Sequence, residues 1–149
     1  MIVFVDIDGT LVDGRDNPRP YIYEFFSKLK ELGCHVIVWS AGGQQYAENK
    51  ISMIERKINM EIGMFIDGYL WKLDYWDQQF DDKQFFIDDS SGIINRAERS
   101  GHKGFLILFY DSRGKKEYLI EDKNEWRDEW LLRAFEEVKK YNDILKVSV

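Results

Sequence analysis

Apolar positions along this chain follow two alternating rhythms. Ile2 to Val5 is an unbroken run of β-branched and aromatic residues, which predicts a strand buried on both faces. Gly9, Gly14, Asn17, Pro18 and Pro20 then punctuate a loop. From Tyr21 the spacing turns helical: Ile22, Phe25, Phe26, Leu29 and Leu32 recur at three and four residues, and Gly33 stands where a helix C-terminal cap is expected. His35 to Trp39 repeats the strand pattern. Ala41-Gly42-Gly43 makes a tight loop, and Ala47, Ile51, Ile54 and Ile58 mark a second amphipathic helix. Met64 to Ile66 reads as a short third strand, followed by a loop from Asp67 to Asp82 rich in Tyr, Trp and Asp. Phe85 to Ile87 is the fourth strand, ending at Asp88-Asp89. Ile93, Ile94 and Ala97 fit a short helix closed by Gly101, and Phe105 to Tyr110 is the fifth strand. A last helix falls at about 121–143, clearest from Glu125 to Tyr141, with Trp126, Trp130, Ala134 and Val138 on one face. Buried strands joined by helices imply an α/β fold with a parallel sheet covered on both sides. Ligands of such sheets bind beyond the carboxyl ends of the strands.

Composition narrows this picture. The 149 residues suit one domain over 1–149, with a hydrophobic fraction of 44% that excludes disorder. The net charge of −6 gives no general attraction to nucleic acid or anionic membranes. The single cysteine, Cys34, lies in an apolar run and reads as a small buried hydrophobe. No apolar stretch is long enough to span a bilayer, and the residues after Met1 form a strand rather than a leader, so the expected location is the cytosol.

The polar residues collect where the topology expects a site. Asp6 and Asp8 follow the first strand, Ser40 ends the second, and Asp88 and Asp89 end the fourth. Strand alternation would point Asp6 and Asp8 the same way, and two close carboxylates raise one pKa or recruit a cation. Hard oxygen donors without His or Cys select Mg²⁺ over zinc. A carboxylate held there suits nucleophilic attack on phosphorus, with a second carboxylate as acid and then base. Gly9 allows a sharp turn and Thr10 a hydrogen bond within it.

Asp6-Ile7-Asp8-Gly9-Thr10-Leu11 resembles the first motif of the haloacid dehalogenase (HAD) superfamily. Ser40 after Val36-Ile37-Val38-Trp39 resembles the second motif, and Phe86-Ile87-Asp88-Asp89-Ser90 the acidic fourth. The resemblance covers the motif-bearing core, roughly residues 1–110, and implies a Rossmann-like three-layer sandwich. It also implies that Asp6 is nucleophile and metal ligand. Asp8 would be acid/base and offer its backbone carbonyl to the metal. Ser40 would bind the phosphoryl group. Asp89 would be the direct carboxylate ligand, with Asp88 beside it or behind it. For the motif's lysine, Lys72 has a spacing to Asp88 similar to that in the C-terminal-domain type of protein phosphatase. Lys83, beside Asp81 and Asp82, is the rival.

Asp8 separates this chain from the dehalogenases, and Ile7 from the P-type ATPases, which carry lysine there. The short intervals from Asp8 to Ser40 and from Ser40 to Lys72 leave no room for a cap domain. The expected activity is Mg²⁺-dependent hydrolysis of phosphate monoesters through an aspartyl-phosphate. The expected substrate is a phosphorylated small molecule or an exposed phosphate on a macromolecule. An open site leaves three alternatives standing: a nucleotide or polynucleotide 3′-phosphatase, a neighbouring subunit acting as lid in a homo-oligomer, and a non-catalytic binding or assembly domain. Tyr69, Trp71, Tyr75 and Trp76 lie near Lys72 and would either stack on a substrate or pack against the Trp126–Trp130 helix. Arg15 and Arg19 sit in the loop after Asp13, either solvated or within reach of phosphate.

Overall fold

The computed structural model describes residues 1–75, 83–114 and 128–147. Five parallel strands form a single sheet in the order β3-β2-β1-β4-β5. They are β1 (Ile2–Val5), β2 (His35–Ser40), β3 (Gly68–Trp71), β4 (Gln84–Asp88) and β5 (Lys103–Leu106). The helices are α1 (Ile22–Glu31), α2 (Gln44–Ile58), the single turn α3 (Lys72–Tyr75), α4 (Ser91–Arg99) and α5 (Trp130–Val147). The expected α/β sandwich with a central parallel sheet is the observed one.

β1 is the central strand, paired with β2 through Val5↔Val38 and with β4 through Val5↔Ile87. Its four residues are buried, as the unbroken apolar run requires. The alternation of β1 side chains divides the core between the two sheet faces. Val3 and Val5 pack with Phe25 and Phe26 of α1, Ile51 and Ile54 of α2, and Leu131, Ala134 and Val138 of α5. Ile2 and Phe4 pack on the other face with Trp39, Tyr75, Phe86, Ile94 and Ala97, under α3 and α4. Phe4 stacks on Phe86 with ring centroids 4.8 Å apart, and Tyr75 meets Phe4 edge-on at 5.1 Å.

Three element assignments differ from the sequence expectation. The third strand is not Met64 to Ile66: Gly63–Phe65 is a 3-10 turn and the strand is Gly68–Trp71. The apolar run there serves packing, with Phe65 against Tyr23 at 5.5 Å, and Asp67 ties the turn to β2 through hydrogen bonds with Val36. The strand itself is an edge strand, half-buried, so it lacks the apolar signature. The fifth strand starts earlier, at Lys103, and pairs only to Leu106. The last helix runs from Trp130 to Val147, so its end lies beyond the expected one; Trp126 and residues 115–127 lie outside the described residues, as does Trp76.

The aromatic residues near Lys72 divide between the two faces of the sheet, and Tyr69 packs against the same core cluster as Trp130. Tyr75 is buried on the α4 face of the sheet, whereas Trp130 packs against Phe105 on the α5 face, with ring centroids 6.2 Å apart. Trp71 is exposed, with its indole N–H donated to the Ala41 carbonyl.

Candidate active site

The strand order reverses direction at β1, so the carboxyl ends of β1 and β4 open a crevice between them. Asp6 follows β1 and Asp88 ends β4, which puts both carboxylates at its floor. Lys72, the first residue after β3, reaches across. Its ammonium donates to Asp6 Oδ1 at 2.8 Å and to Asp88 Oδ2 at 2.9 Å. Thr10 donates its hydroxyl to Asp6 Oδ2 at 3.1 Å, so both oxygens of Asp6 are held. Lys83 precedes β4, at the amino end of the sheet, and has no access to this crevice.

The backbone after β1 explains why Asp6 and Asp8 part company. The strand ends at Val5, and the amides of Thr10, Leu11 and Val12 all converge on the Ile7 carbonyl. That turn breaks strand alternation, so the two side chains do not share one environment. The Asp6 side chain is 7% exposed and that of Asp8 is 52% exposed. Asp8 turns instead to α2, where Tyr46 donates its hydroxyl to Asp8 Oδ2 at 2.8 Å and the Lys50 ammonium lies 3.8 Å from Asp8 Oδ1. The carboxylate that crowds Asp6 is therefore Asp88, not Asp8 as strand alternation suggests.

The turn requires glycine at position 9. Gly9 has φ +83°, and a Cβ there would collide with the Asp89 carboxylate and lie 2.6 Å from the Phe109 ring. Ser40 is buried at the end of β2, and its Oγ accepts from the Gly42 amide at 3.0 Å, shaping the loop that leads into α2.

Charge at the floor is unbalanced. Burial and the Asp88 carboxylate push the Asp6 pKa well above the ordinary range, against the pull of Lys72. Burial also raises Asp88. Burial draws Lys72 down, but the Asp6 and Asp88 carboxylates outweigh it and hold the ammonium above its usual value. Two buried carboxylates and one lysine thus remain short of positive charge. Asp6, Asp88 and Asp89 can each place one oxygen within 4.8 Å of the others. This all-oxygen donor set fits a hard divalent cation such as Mg²⁺. Both oxygens of Asp88 are already engaged, one by Lys72 and one by the Ser90 amide at 3.0 Å, which leaves Asp89 the freer ligand. Asp8 brings no side-chain oxygen to this group.

The sequence also missed partners. Tyr46 and Lys50 stand one helical turn apart on α2, a spacing that places them on one face, but nothing in the sequence aims that face at Asp8. Arg19 does not reach toward substrate. It is buried and paired with Asp128, while Arg15 is exposed.

In fold, the chain is similar to D,D-heptose 1,7-bisphosphate phosphatase from Burkholderia thailandensis, with a TM-score of 0.56 and 16% sequence identity over 92% of this chain and 97% of that one. The sheet order and the acidic crevice at the carboxyl ends of its strands belong to the HAD type of phosphate-monoester hydrolase. Residues 1–80, just over half of the chain, match the NLI interacting factor-like phosphatase family, and the chain belongs to that family. A shorter similarity links it to an uncharacterised 36.0 kDa protein of Orgyia pseudotsugata multicapsid polyhedrosis virus, 28% identical over 57 residues. That match takes in 36% of this chain and only 18% of the viral protein's length. Among the described residues, no helix is long and apolar enough to cross a membrane.

Proposed function

We propose that this phosphatase hydrolyses phosphate monoesters in a Mg²⁺-dependent reaction with Asp6 as nucleophile. One observation carries the reading: the Asp6 carboxylate is fixed at the sheet's switch point by Lys72 and Thr10, with Asp88 and Asp89 beside it. Lys72, with Ser40, neutralises and orients the phosphoryl oxygens. Asp6, Asp89 and the Asp8 carbonyl would hold Mg²⁺, with Asp88 behind them positioning Lys72. The bound ion would screen the anionic ester from the anionic nucleophile.

An Asp6 oxygen attacks phosphorus, the ester P–O bond breaks, and the leaving oxygen takes a proton from Asp8. Water then attacks the aspartyl-phosphate, giving its proton to the Asp8 carboxylate. The acyl-phosphate P–O bond breaks, which restores Asp6 and releases inorganic phosphate. The exposed position of Asp8 leaves its carboxylate free to turn from Tyr46 toward either oxygen. Between β1 and β3 the chain holds only α1, β2, α2 and their connecting loops and turns, and no further domain is inserted there to roof the crevice. An open mouth suits a small phosphorylated metabolite or a phosphate displayed on a macromolecule.

The test is turnover of an aryl phosphate with and without Mg²⁺, in the parent and in Asp6→Asn. The expected outcome is Mg²⁺-dependent turnover that falls at least about a thousandfold in the variant. Equal turnover in Asp6→Asn would remove Asp6 as nucleophile. Sugar phosphates, nucleotides, phosphopeptides and 3′-phosphorylated oligonucleotides then rank the substrate classes.

A further inference from the structure

Among the described residues Arg19 is the largest charged side chain that is fully buried, and its contacts join two distant parts of the chain. Its Nε donates to both oxygens of Asp128 at 3.0 Å. Its Nη1 donates to the carbonyls of Gly9 and Thr10, at 3.4 and 3.3 Å. The guanidinium lies over the Tyr110 ring, 5.3 Å from the centroid, and the Tyr110 amide donates to the same Gly9 carbonyl at 2.8 Å. The backbone amide of Arg19 donates to Leu11 at 2.7 Å. Asp128 Oδ1 in turn accepts from the Trp130 amide at 3.1 Å, at the start of α5.

We propose that Arg19 and Asp128 are a positioning pair that clamps the Asp8–Thr10 turn to the C-terminal helix and so fixes the aim of Asp6. The inference rests on Asp6 being the nucleophile. A buried ion pair is a weak source of stability compared with apolar side chains of the same volume, because both charges lose their hydration. What this pair supplies is geometry. The guanidinium fork is rigid and planar, and it grips two successive carbonyls of the turn at once. Thr10, whose carbonyl is gripped, holds Asp6 Oδ2 with its hydroxyl, so the path from Asp128 to the nucleophile has three short links. The family match ends at residue 80, and half of this clamp comes from beyond it.

The experiment uses the full chain with Mg²⁺ and an aryl phosphate, in Arg19→Lys, Arg19→Ala and Asp128→Asn. Misaligning a nucleophile through a distant residue lowers kcat by about 10- to 100-fold. KM should stay within about threefold, since ground-state binding is untouched. Millimolar methylguanidinium should restore part of the kcat of Arg19→Ala, because the ion refills the vacated site. Native-state hydrogen exchange supplies a readout independent of turnover. The amides of Gly9, Leu11, Val12 and Tyr110 should exchange faster in the variants while those of Phe4 and Val38 keep their protection. Exchange accelerated equally in the β1–β2 core, unfolding of all three variants, or an unchanged kcat would each show a pair that only stabilises, and would overturn the proposal. If the parent itself turns over no aryl phosphate, the assignment of Asp6 fails, and the exchange pattern alone still decides whether the clamp exists.

Discussion

The two halves of the candidate site are built on opposite principles. Around Asp6 the two central carboxylates are buried and held on both oxygens: Lys72 and Thr10 on Asp6, Lys72 and the Ser90 amide on Asp88. Around Asp8 the carboxylate is exposed and held loosely by partly buried neighbours. Tyr46 supplies one hydrogen bond, and Lys50 stands 3.8 Å away while also pairing with Asp16. The difference matches the proposed division of labour. A nucleophile gains from being fixed, because reorganisation at the moment of attack costs rate. A group that first gives a proton to one oxygen and then takes one from another gains from room to turn. Fixity has a cost in charge, since buried carboxylates resist ionisation, and Lys72 is what offsets it.

Removing Lys72 should break the fixed half most severely. Lys72→Met leaves Asp6 and Asp88 buried with no counter-charge, which costs about 3–5 kcal/mol near neutral pH. The pH dependence has a definite sign. Burial and like charge already raise Asp6, and Asp88 is raised by burial, so ionising either opposes folding. Stability tied to such groups is fully present below the ordinary carboxylate pKa of about 4 and is lost as pH rises through the raised folded value. Thermal melts from about pH 4 to pH 8 should therefore show the variant's deficit growing with pH. Mg²⁺ should raise its melting temperature more than the parent's. A deficit that does not vary with pH would mean that Lys72 acts there by packing alone.

The looser half should fail differently. Asp8→Asn removes proton transfer without touching the contacts of Asp6, so melting should change little while kcat falls about 10²- to 10⁴-fold. The loss should be smaller for aryl than for alkyl phosphates, because an aryl oxide needs less help to leave. With the activating base gone, phosphorylated enzyme should accumulate and be visible as a mass increase in quenched samples. No accumulation, with an equal loss for both leaving groups, would argue that Asp8 serves another step.

Much of this was legible in the sequence because strands buried on both faces and a short motif at a strand end are strong signals. The apolar runs of β1, β2 and β4 mark the centre of the sheet, and Asp6, Ser40 and Asp88 stand at its carboxyl ends in sequence and structure alike. The edges were harder. Gly68–Trp71 is half-buried and mixed in character, while Met64-Phe65-Ile66 is more apolar yet forms a turn in which Phe65 and Ile66 pack against the core and Met64 is exposed. Contacts between side chains far apart in sequence left no local trace. Arg19 and Asp128 are separated by 109 positions, and Asp13 and Ser112 by 99. Asp13 read only as a loop residue, yet its carboxylate gathers the amides of Arg15, Asn17 and Ser112 and is held well below the usual range by its hydrogen bonds with Ser112 and Asn17, which outweigh its burial. The direction of Asp8 departs from strand alternation for a related reason: alternation holds only while the strand lasts, and β1 stops at Val5.

Tyr46 offers the finest test of the contrast between the halves. Its hydroxyl remains a donor at neutral pH, since burial and the neighbouring Asp8 raise its pKa. Its ring packs closely on Gly42, where an added Cβ would lie 2.7 Å from it, so phenylalanine at this position keeps the packing and loses only the oxygen. One hydrogen bond to an exposed carboxylate contributes about 0.5–1.5 kcal/mol, so Tyr46→Phe should change kcat by roughly two- to tenfold and the melting temperature very little. If the bond acts through Asp8, the effect should vanish when Tyr46→Phe is made in the Asp8→Asn background, where the two changes will not add. Additive losses would place Tyr46 on the substrate instead, and the looser half would then hold a binding residue rather than a second hold on the acid.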